Sequence, residues 1–220
     1  MHRIEFHCHS CYSPDSISTP EALISACEKR GIDRLVITDH NTITGALATQ
    51  AIDPQRIIVG EEVKTQEGEL LAAFVSEAVP EGLPAMEALH LLRKQDAFIS
   101  ISHPFDWRRG GRWNPETLIK MQPLIDAIEV FNSRCINPHY NQQAVEYAQK
   151  YSLAGTVGSD AHTLAELGRA IMILPEFNNA VGLRQAIKQV QYNTRVSGIW
   201  VRFASRYAML YNQFTGWQFQ

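Results

Sequence analysis

The sequence has no excess of positive charge and no long apolar run. Its 220 residues include 20 lysines and arginines against 23 aspartates and glutamates, which gives a formal net charge of −3. Proteins that bind long nucleic acids usually carry a clear basic excess, so any nucleic-acid substrate is expected to be short. No stretch approaches the roughly 18 consecutive apolar residues of a membrane span, and no membrane partner is expected.

Cysteine is scarce, and the N-terminus lacks the apolar run of a secretory signal. The four cysteines are Cys8, Cys11, Cys27 and Cys135. Without a secretory signal we expect reduced thiols, and the cytoplasm is the default compartment. Cys8-x-x-Cys11 could be half of a zinc site or a redox pair, but no second pair follows it.

What the sequence does contain is an alternation of short apolar runs with amphipathic stretches. Hydrophobic residues make up 45% of the chain, enough for a sizeable core. A helix is predicted to open at Ser18-Thr19-Pro20-Glu21 and to close at Gly31, and further helices fit residues 84–95, 115–122, 139–151 and 179–191. The predicted strands are Ile4–His9, Leu35–Asp39, Ile57–Val63, Leu70–Val75, Phe98–Ser102, Ala127–Phe131 and Leu153–Val157. This alternation predicts an α/β fold and leaves a closed barrel and a doubly wound sheet both open.

Five of the eight histidines stand where a predicted strand ends. His7 and His9 are two residues apart on a strand, so both side chains project to one face, with Glu5 below them. Two such imidazoles can converge on one metal ion, although an isolated His-x-His is more often a solvated surface pair. Catalytic groups collect at the carboxyl ends of strands in α/β folds.

The other strand ends carry similar side chains. They are Asp39-His40, Glu61-Glu62, His103 and the pair Asp160 and His162. Adjacent residues on a strand face opposite sides, so only one of the two glutamates can serve a central site. Each feature alone has an ordinary explanation, and Asp15 alone reads as a turn aspartate. Together, imidazole and carboxylate ligands without thiolate suit zinc, manganese or iron.

An ordered set of motifs over roughly residues 1–175 resembles the PHP family (polymerase and histidinol phosphatase). The motifs are His7-x-His9-Ser10, Thr38-Asp39-His40, Gly60-x-Glu62, His103-Pro104 and Gly158-Ser159-Asp160-Ala161-His162. The resemblance implies a distorted seven-stranded (βα)7 barrel, TIM-like, with a metal cluster at the C-terminal ends of the strands. We expect one domain of this type over residues 1–198. The segment 199–220 is rich in Trp, Tyr and Phe, and it is predicted to pack on the barrel or on a neighbouring subunit.

The resemblance implies eight ligands for two or three divalent ions of manganese, zinc or iron. One ion would be held by His7, His9, Glu62 and Asp160, a second by Glu62 with His103, and a third by Asp15, His40 and His162. Many relatives carry a further histidine on the strand after that glutamate. The corresponding run here, 69–74, contains none, so two ions and three both stay open.

The activity that the resemblance implies is hydrolysis of a phosphomonoester, such as a histidinol phosphate or a nucleotide phosphate, by a metal-activated hydroxide. Asp160 and His162 are the candidate catalytic residues. Arginine matches phosphate oxygens bidentately, so Arg134 is the first candidate for substrate binding, Arg169 the second, and Arg108 with Arg109 the third.

Three alternatives accompany this hypothesis. A phosphodiesterase or exonuclease on short oligonucleotides would use the same site. A non-catalytic PHP module would be expected to have lost ligands. A carbon–nitrogen hydrolase of the amidohydrolase type would need a lysine at the end of a middle strand, and the bridging position here is Glu62. The expected partner is a small phosphorylated substrate or a short oligonucleotide, and the sequence leaves room for an oligomer.

Overall fold

The structure is a computed structural model that describes residues 1–109 and 113–215. Residues 216–220, the end of the predicted tail, lie outside the described residues. The strands are β1 (His2–Glu5), β2 (Arg34–Ile37), β3 (Ile57–Lys64), β4 (Glu69–Ala73), β5 (Phe98–Ile101), β6 (Ala127–Asn132), β7 (Ala154–Gly158), β8 (Ala170–Leu174) and β9 (Gln191–Thr194). The helices are α1 (Pro20–Arg30), α2 (Thr44–Ile52), α3 (Ala85–Lys94), α4 (Pro115–Met121), α5 (Pro138–Tyr151), α6 (Ala180–Ala186) and α7 (Trp200–Thr215).

All of these strands belong to one mixed sheet. Its order is β7-β6-β5-β4-β3-β2-β1-β8-β9. The pairs β1–β2, β2–β3, β5–β6 and β6–β7 are parallel, whereas β4 is antiparallel to both β3 and β5. The hairpin predicted between the third and fourth strands is therefore present. Because β4 runs backwards, its first residue lies at the edge where the parallel strands end.

The sheet curls until its first and seventh strands meet. Just beyond β1, Cys8 forms a parallel bridge with Ala161, and the His9 amide donates to the Ala161 carbonyl at 2.8 Å. The rings of Phe6 and Phe98 pack edge to face, with centroids 5.6 Å apart. Three strands separate β1 from β5 in the sheet, so this contact crosses the interior. The α/β barrel expected from the resemblance is confirmed as a nearly closed mixed barrel.

Local sequence explains how the first helix begins and ends. The Thr19 side chain accepts a hydrogen bond from the Ala22 amide, and Pro20 occupies the first helical position. Gly31 ends α1 in the left-handed region, with φ 61°, where a residue without Cβ carries no steric penalty. Thr19 is therefore the capping residue, within the predicted start Ser18-Thr19-Pro20-Glu21.

Four elements of the structure were absent from the prediction: α2, β8, β9 and α7. The strand β9 begins where the predicted helix 179–191 should end. The predicted strand Ile4–His9 is also shorter, because regular pairing stops at Glu5 and only Cys8 is bridged beyond it. His7 and His9 therefore lie on the irregular continuation of β1.

The tail is a helix that contacts the rim of the barrel. Within α7, Asn212 donates to the carbonyls of Pro14 and Ser16, and the Val201 carbonyl accepts from Arg134. Opposite these contacts the helix exposes aromatic side chains, among them Trp200, which is 77% exposed. In the described part of the chain, no helix combines the length and the apolar character that crossing a bilayer requires.

Candidate metal centre

The side chains that follow the strands meet at one end of the barrel. All eight predicted ligands lie within this cluster, and most of them are almost fully buried. They come from the segments after β1, β2, β5 and β7, from β3 itself and from the loop before α1: His7, His9, Asp15, His40, Glu62, His103, Asp160 and His162. Residues far apart in sequence thus supply one polar cluster inside an apolar barrel.

The first group of ligand atoms surrounds Glu62. Its Oε2 lies 3.2 Å from His7 Nε2 and 3.3 Å from His9 Nε2. Asp160 Oδ1 lies 3.5 Å from His9 Nε2 and 3.8 Å from His7 Nε2. Two imidazole nitrogens and two carboxylate oxygens therefore point at one another, the arrangement of side chains that share a cation.

A second group contains a residue that the sequence reasoning did not select. His103 Nε2 lies 3.3 Å from Glu62 Oε1 and also 3.3 Å from Glu69 Oε2. Glu69, the first residue of the reversed strand β4, reaches the cluster from the side where relatives carry a histidine. The available signal was a carboxylate at the start of that strand. Glu62 contributes one oxygen to each group, so it can bridge two ions.

The third group lies on the outer side of the cluster. His162 Nε2 is 2.9 Å from Asp15 Oδ2, and His40 Nε2 is 3.8 Å from the same oxygen. The ring of His9 lies 4.4 Å from that of His40 and 4.1 Å from that of His162, centroid to centroid. His40 Nδ1 also lies 3.3 Å from Glu62 Oε2. The three groups therefore adjoin one another.

The buried nitrogen and oxygen atoms of the cluster suit divalent ions, because several of them lack hydrogen-bond partners in the protein. His9 Nε2, Asp15 Oδ1 and Asp160 Oδ1 are buried and have no hydrogen-bond partner. Buried polar atoms are normally hydrogen-bonded, and orphans require a cause. Ligand atoms of His7, His9 and Glu62 all lie within 4.8 Å of one another, as do those of two further groups that contain His103 and His162. Oxygen and imidazole donors at this spacing suit several adjacent ions.

Glu129 on β6 orients two of the histidines, and the sequence analysis missed it. Its Oε1 lies 3.0 Å from His7 Nδ1, and its Oε2 accepts from the His103 amide at 2.8 Å. Asn132 donates from Nδ2 to Glu129 at 3.1 Å and to Asp160 at 3.0 Å. A carboxylate on the far nitrogen fixes the tautomer of a metal-binding imidazole, so Glu129 leaves His7 Nε2 free for the ion.

A second supporting set holds His9. Ser13 Oγ lies 3.2 Å from His9 Nδ1 and donates to Asp39 Oδ1 at 3.0 Å. Asp39 also accepts from the Ser10 amide and hydroxyl, both at 2.6 Å. Asp39, the first residue of the Asp39-His40 motif, thus acts through serines while His40 faces the cluster.

Charge within the cluster shifts several pKa values strongly. Burial opposes ionisation, yet His7 and neighbouring imidazoles hold the pKa of Glu62 well below its usual value. Burial alone would lower the pKa of His40, but Asp15 and Glu62 raise it to about 10. Burial, reinforced by His9, lowers the pKa of His162 to about 4. Glu62 is therefore ionised, as metal binding requires, whereas burial and the neighbouring Glu62 raise the pKa of Glu69.

Two arginines approach the cluster. Arg109 forms an ion pair with Asp160, and its own pKa rises because this pair outweighs the effect of burial. Arg134 Nη1 lies 2.9 Å from His162 Nδ1, and its Nε is 2.9 Å from a carboxylate oxygen of Glu166. Arg134 Nη2 donates to the Val201 carbonyl and the Ser205 hydroxyl, both on α7. Arg109 therefore faces the ligands, whereas Arg134 is held among protein partners behind His162.

The remaining arginine candidates lie elsewhere. Arg169 donates to the Val196 carbonyl at 3.1 Å and lines a separate cavity on the flank of the barrel. Arg108 lies over the ring of Trp107, 5.4 Å from its centroid. The structure brings Arg134 and Arg109 to the centre and does not bring Arg169 there.

The cluster opens to solvent through a polar cavity of about 510 Å³. Asp15, His40, Glu69, His103 and His162 lie at its floor, and Arg109 and Lys64 also line it. Small-molecule sites typically measure about 300–1,000 Å³, so this cavity has the size of a small phosphorylated compound.

Comparisons with known proteins place these observations in a family. A family model described as PHP-associated matches residues 138–191. An uncharacterized protein of Methanocaldococcus jannaschii is 35% identical over 179 residues, covering 80% of this chain and 72% of that protein. The fold is similar to that of a solved two-domain protein of Bacteroides vulgatus that contains a predicted PHP-like metal-dependent phosphoesterase. The TM-score is 0.71 and the identity 20%, over 94% of this chain and 69% of that one. A lesion-specific endonuclease of Pyrococcus furiosus is similar with a TM-score of 0.62 and 17% identity, over 87% of this chain and 57% of that one.

Proposed function

This chain belongs to the PHP family, and we propose that it is a metal-dependent phosphoesterase that hydrolyses a small phosphomonoester. One observation carries the proposal: three groups of imidazole and carboxylate atoms adjoin one another, two of them share Glu62, and His9 Nε2 and Asp160 Oδ1 are buried without partners. A cluster of this composition supports hydrolysis of phosphate esters when its ions are bound.

The residues that would hold the ions follow from the three groups. His7, His9, Glu62 and Asp160 would hold the first ion, and Glu62, Glu69 and His103 the second. Asp15, His40 and His162 would hold the third. When bound, divalent ions lower the pKa of water and neutralise charge on phosphoryl oxygens.

Protein side chains would position the substrate. Arg109 lines the cavity and forms an ion pair with Asp160, which is also a predicted ligand. A phosphate oxygen entering the cavity could take over the guanidinium from Asp160, since arginine pairs readily with phosphate. Lys64 at the rim is 52% exposed, and its ion pair with Glu81 lies at the surface, where such pairs are weak. A second anionic group of the substrate could therefore replace Glu81.

Of the two candidate catalytic residues, His162 is better placed to touch substrate. His162 lines the cavity, whereas Asp160 lies beneath it and is paired with Arg109 and Asn132. We therefore assign Asp160 to holding and orienting ligands. His162 remains the candidate for contact with the leaving group.

A phosphodiesterase acting on short oligonucleotides is the second candidate. Trp107 is 53% exposed and carries the guanidinium of Arg108 over its ring, close in sequence to Arg109. Exposed indole and arginine planes stack on nucleobases. The fold of a lesion-specific endonuclease is also similar to that of this chain.

The decisive experiment measures metal content and phosphate release together. The purified chain is analysed for bound metals and then assayed on phosphomonoesters and dinucleotides. The test variant is His7→Ala with His9→Ala. The matched control is His90→Ala with His139→Ala, which removes two exposed histidines outside the cluster.

We expect at least two ions per chain, and we expect the test variant to lose both metal and activity while the control keeps them. Release from monoesters but not from dinucleotides supports the first candidate, and the reverse supports the second. An unmodified chain without bound metal, or a test variant as active as the control, would overturn the catalytic proposal.

A further inference from the structure

A second cavity, of about 480 Å³, lies on the flank of the barrel and is lined by four arginines. Arg3 lies on β1, Arg30 ends α1, Arg169 precedes β8 and Arg195 follows β9. None of the residues lining this cavity lines the cavity of the metal centre. The two cavities are therefore separate, and the proposed phosphoesterase activity does not use this one.

The arginines are held in place by neutral groups. Arg3 Nε donates to the Gly31 carbonyl at 2.9 Å, and Arg30 Nη1 donates to the Leu167 carbonyl at 2.8 Å. Arg169 Nη1 donates to the Val196 carbonyl at 3.1 Å. Each guanidinium has five N–H donors, so these bonds orient the groups and leave most donors unused. The Nε of Arg169 is buried without any partner.

The positive charge of this cavity is not balanced by its walls. No aspartate or glutamate lines it, and none of the four arginines forms an ion pair with the residues that the structure describes. Other arginines on the flank are paired: Arg56 with Asp53, and Arg93 with Asp126. Four unpaired cations around one cavity repel one another unless an anion lies between them.

We propose that this cavity binds a compact anion carrying two or more adjacent phosphate groups, such as a nucleoside diphosphate. Guanidinium groups pair with phosphate oxygens through two parallel hydrogen bonds, and several arginines can share one polyphosphate. The volume suits a small ligand. An acidic surface of another protein is disfavoured, since the donors converge inside a concave site.

The test uses methylenediphosphonate, a bisphosphonate whose P–C–P linkage resists hydrolysis, titrated into the full chain by calorimetry. Arg195→Gln is the main variant because Arg195 is exposed and its side chain supports no described contact, so the fold should survive. Arg3→Gln is the second variant. Arg206→Gln, at an exposed position on α7 outside the cavity, is the matched control.

We expect saturable 1:1 binding to the unmodified chain and to the control, weakened about tenfold by either cavity variant, the effect of losing one charge-assisted contact. The variant His7→Ala with His9→Ala should bind as the unmodified chain does, since the metal centre is not involved. Absence of binding, an affinity in both cavity variants equal to that of the unmodified chain, or loss of binding in the histidine variant would each overturn the proposal.

Discussion

At the scale of single residues, we expect Glu69 to decide whether the proposed second ion is held. Its Oε2 and Glu62 Oε1 lie equally far, 3.3 Å, from His103 Nε2. Glu69→Gln keeps the shape and removes the charge, so we expect the chain to lose about one ion while the other sites stay filled. Metal analysis after dialysis measures this. Glu81→Gln, at an exposed carboxylate beside the same cavity, is the control, and an unchanged metal count in Glu69→Gln would contradict the assignment.

The neighbouring glutamates show how facing direction sets a residue's role. Glu62 faces the cluster, whereas Glu61 is fully buried on the other side and accepts from the Val79 amide at 3.0 Å. Burial raises the pKa of Glu61 to about 7. The folded chain then binds more protons than the unfolded chain between about pH 4.5 and pH 7, so the unfolding free energy falls as pH rises through this window.

Glu61→Gln should remove this pH dependence. We expect the variant to match the unmodified chain near pH 4 and to exceed its unfolding free energy by up to about 3 kcal/mol at pH 8, the value of a shift of this size. Urea unfolding at several pH values checks this. If the variant is less stable than the unmodified chain at pH 8, Glu61 is ionised and stabilising there.

The ligands could be predicted from the sequence because polar residues directly after apolar runs stand out. The structure brings these eight side chains together. Glu129, however, sits inside the predicted strand Ala127–Phe131 and carries no positional signal, because its partners His7 and His103 are distant in sequence. Arg169 looked suitable from its place after His162, but its direction is set by the Val196 carbonyl.

At the scale of elements, the end of β7 must come close to β1 and β6. A Cβ added to Gly158 would lie 2.4 Å from Glu129 Oε1 and 2.4 Å from His7 Cβ. Gly158→Ala should therefore push apart the pair that orients His7, with a loss of about 1–3 kcal/mol in unfolding free energy and weaker metal binding. Denaturant unfolding and metal analysis measure both effects.

Gly198→Ala is the control for this change. A Cβ there would meet only Trp200 Cδ1, at an ordinary contact distance of 3.5 Å. Neither the unfolding free energy nor metal binding should therefore change. If Gly158→Ala behaves like Gly198→Ala, the contact between β7 and His7 tolerates more volume than its geometry indicates.

The helix α7 supports the loop that carries Asp15. Asn212 donates to the Pro14 carbonyl at 2.9 Å and to the Ser16 carbonyl at 3.2 Å, on either side of that ligand. Asn212→Ala removes both hydrogen bonds, so we expect faster amide exchange in residues 13–16 and a loss of about 1–2 kcal/mol in unfolding free energy. Hydrogen-exchange mass spectrometry checks this. Gln213→Ala, at the exposed neighbouring position, should leave exchange in the loop unchanged, and equal exchange in both variants would mean that α7 does not hold it.

Elements with a strong apolar pattern were predictable, and those without it were not. All seven predicted strands exist, since each is a buried run of the chain. The strand β9 lies at the surface and has no apolar run, so it was not predicted, and its first residue was assigned to the preceding helix. The helix α2 begins after Ile43 without a side-chain cap, and thus lacks a recognisable start.

At the scale of the whole molecule, we expect metal ions to displace protons from the candidate metal centre when they bind. Asp15 and Glu62 raise the pKa of His40 to about 10, and the pKa of His7 also rises above its usual value against the effect of burial. At pH 8 the His40 imidazole is therefore protonated without metal, and it must be neutral to bind an ion. We expect metal loading to release at least about one proton per chain, with affinity rising from pH 6 to pH 9.

Calorimetric titration of manganese in buffers with different ionisation enthalpies measures this release. His40→Gln should reduce the number of released protons without abolishing binding at the first group. A binding enthalpy that is the same in every buffer would show that the histidines are already neutral before the metal arrives.

The position of β1 in the sheet has a consequence for synthesis on the ribosome. The strand lies between β2 and β8, and the segment after it is bridged to Ala161. Residues 2–4 are therefore synthesised well before their antiparallel partners, residues 172–174 of β8. Closing so long a loop is an entropic cost that later contacts must repay. We therefore expect the proposed first metal site to be complete only after Asp160 has been made, and a nascent chain stalled before it to present His7, His9 and Glu62 without that carboxylate.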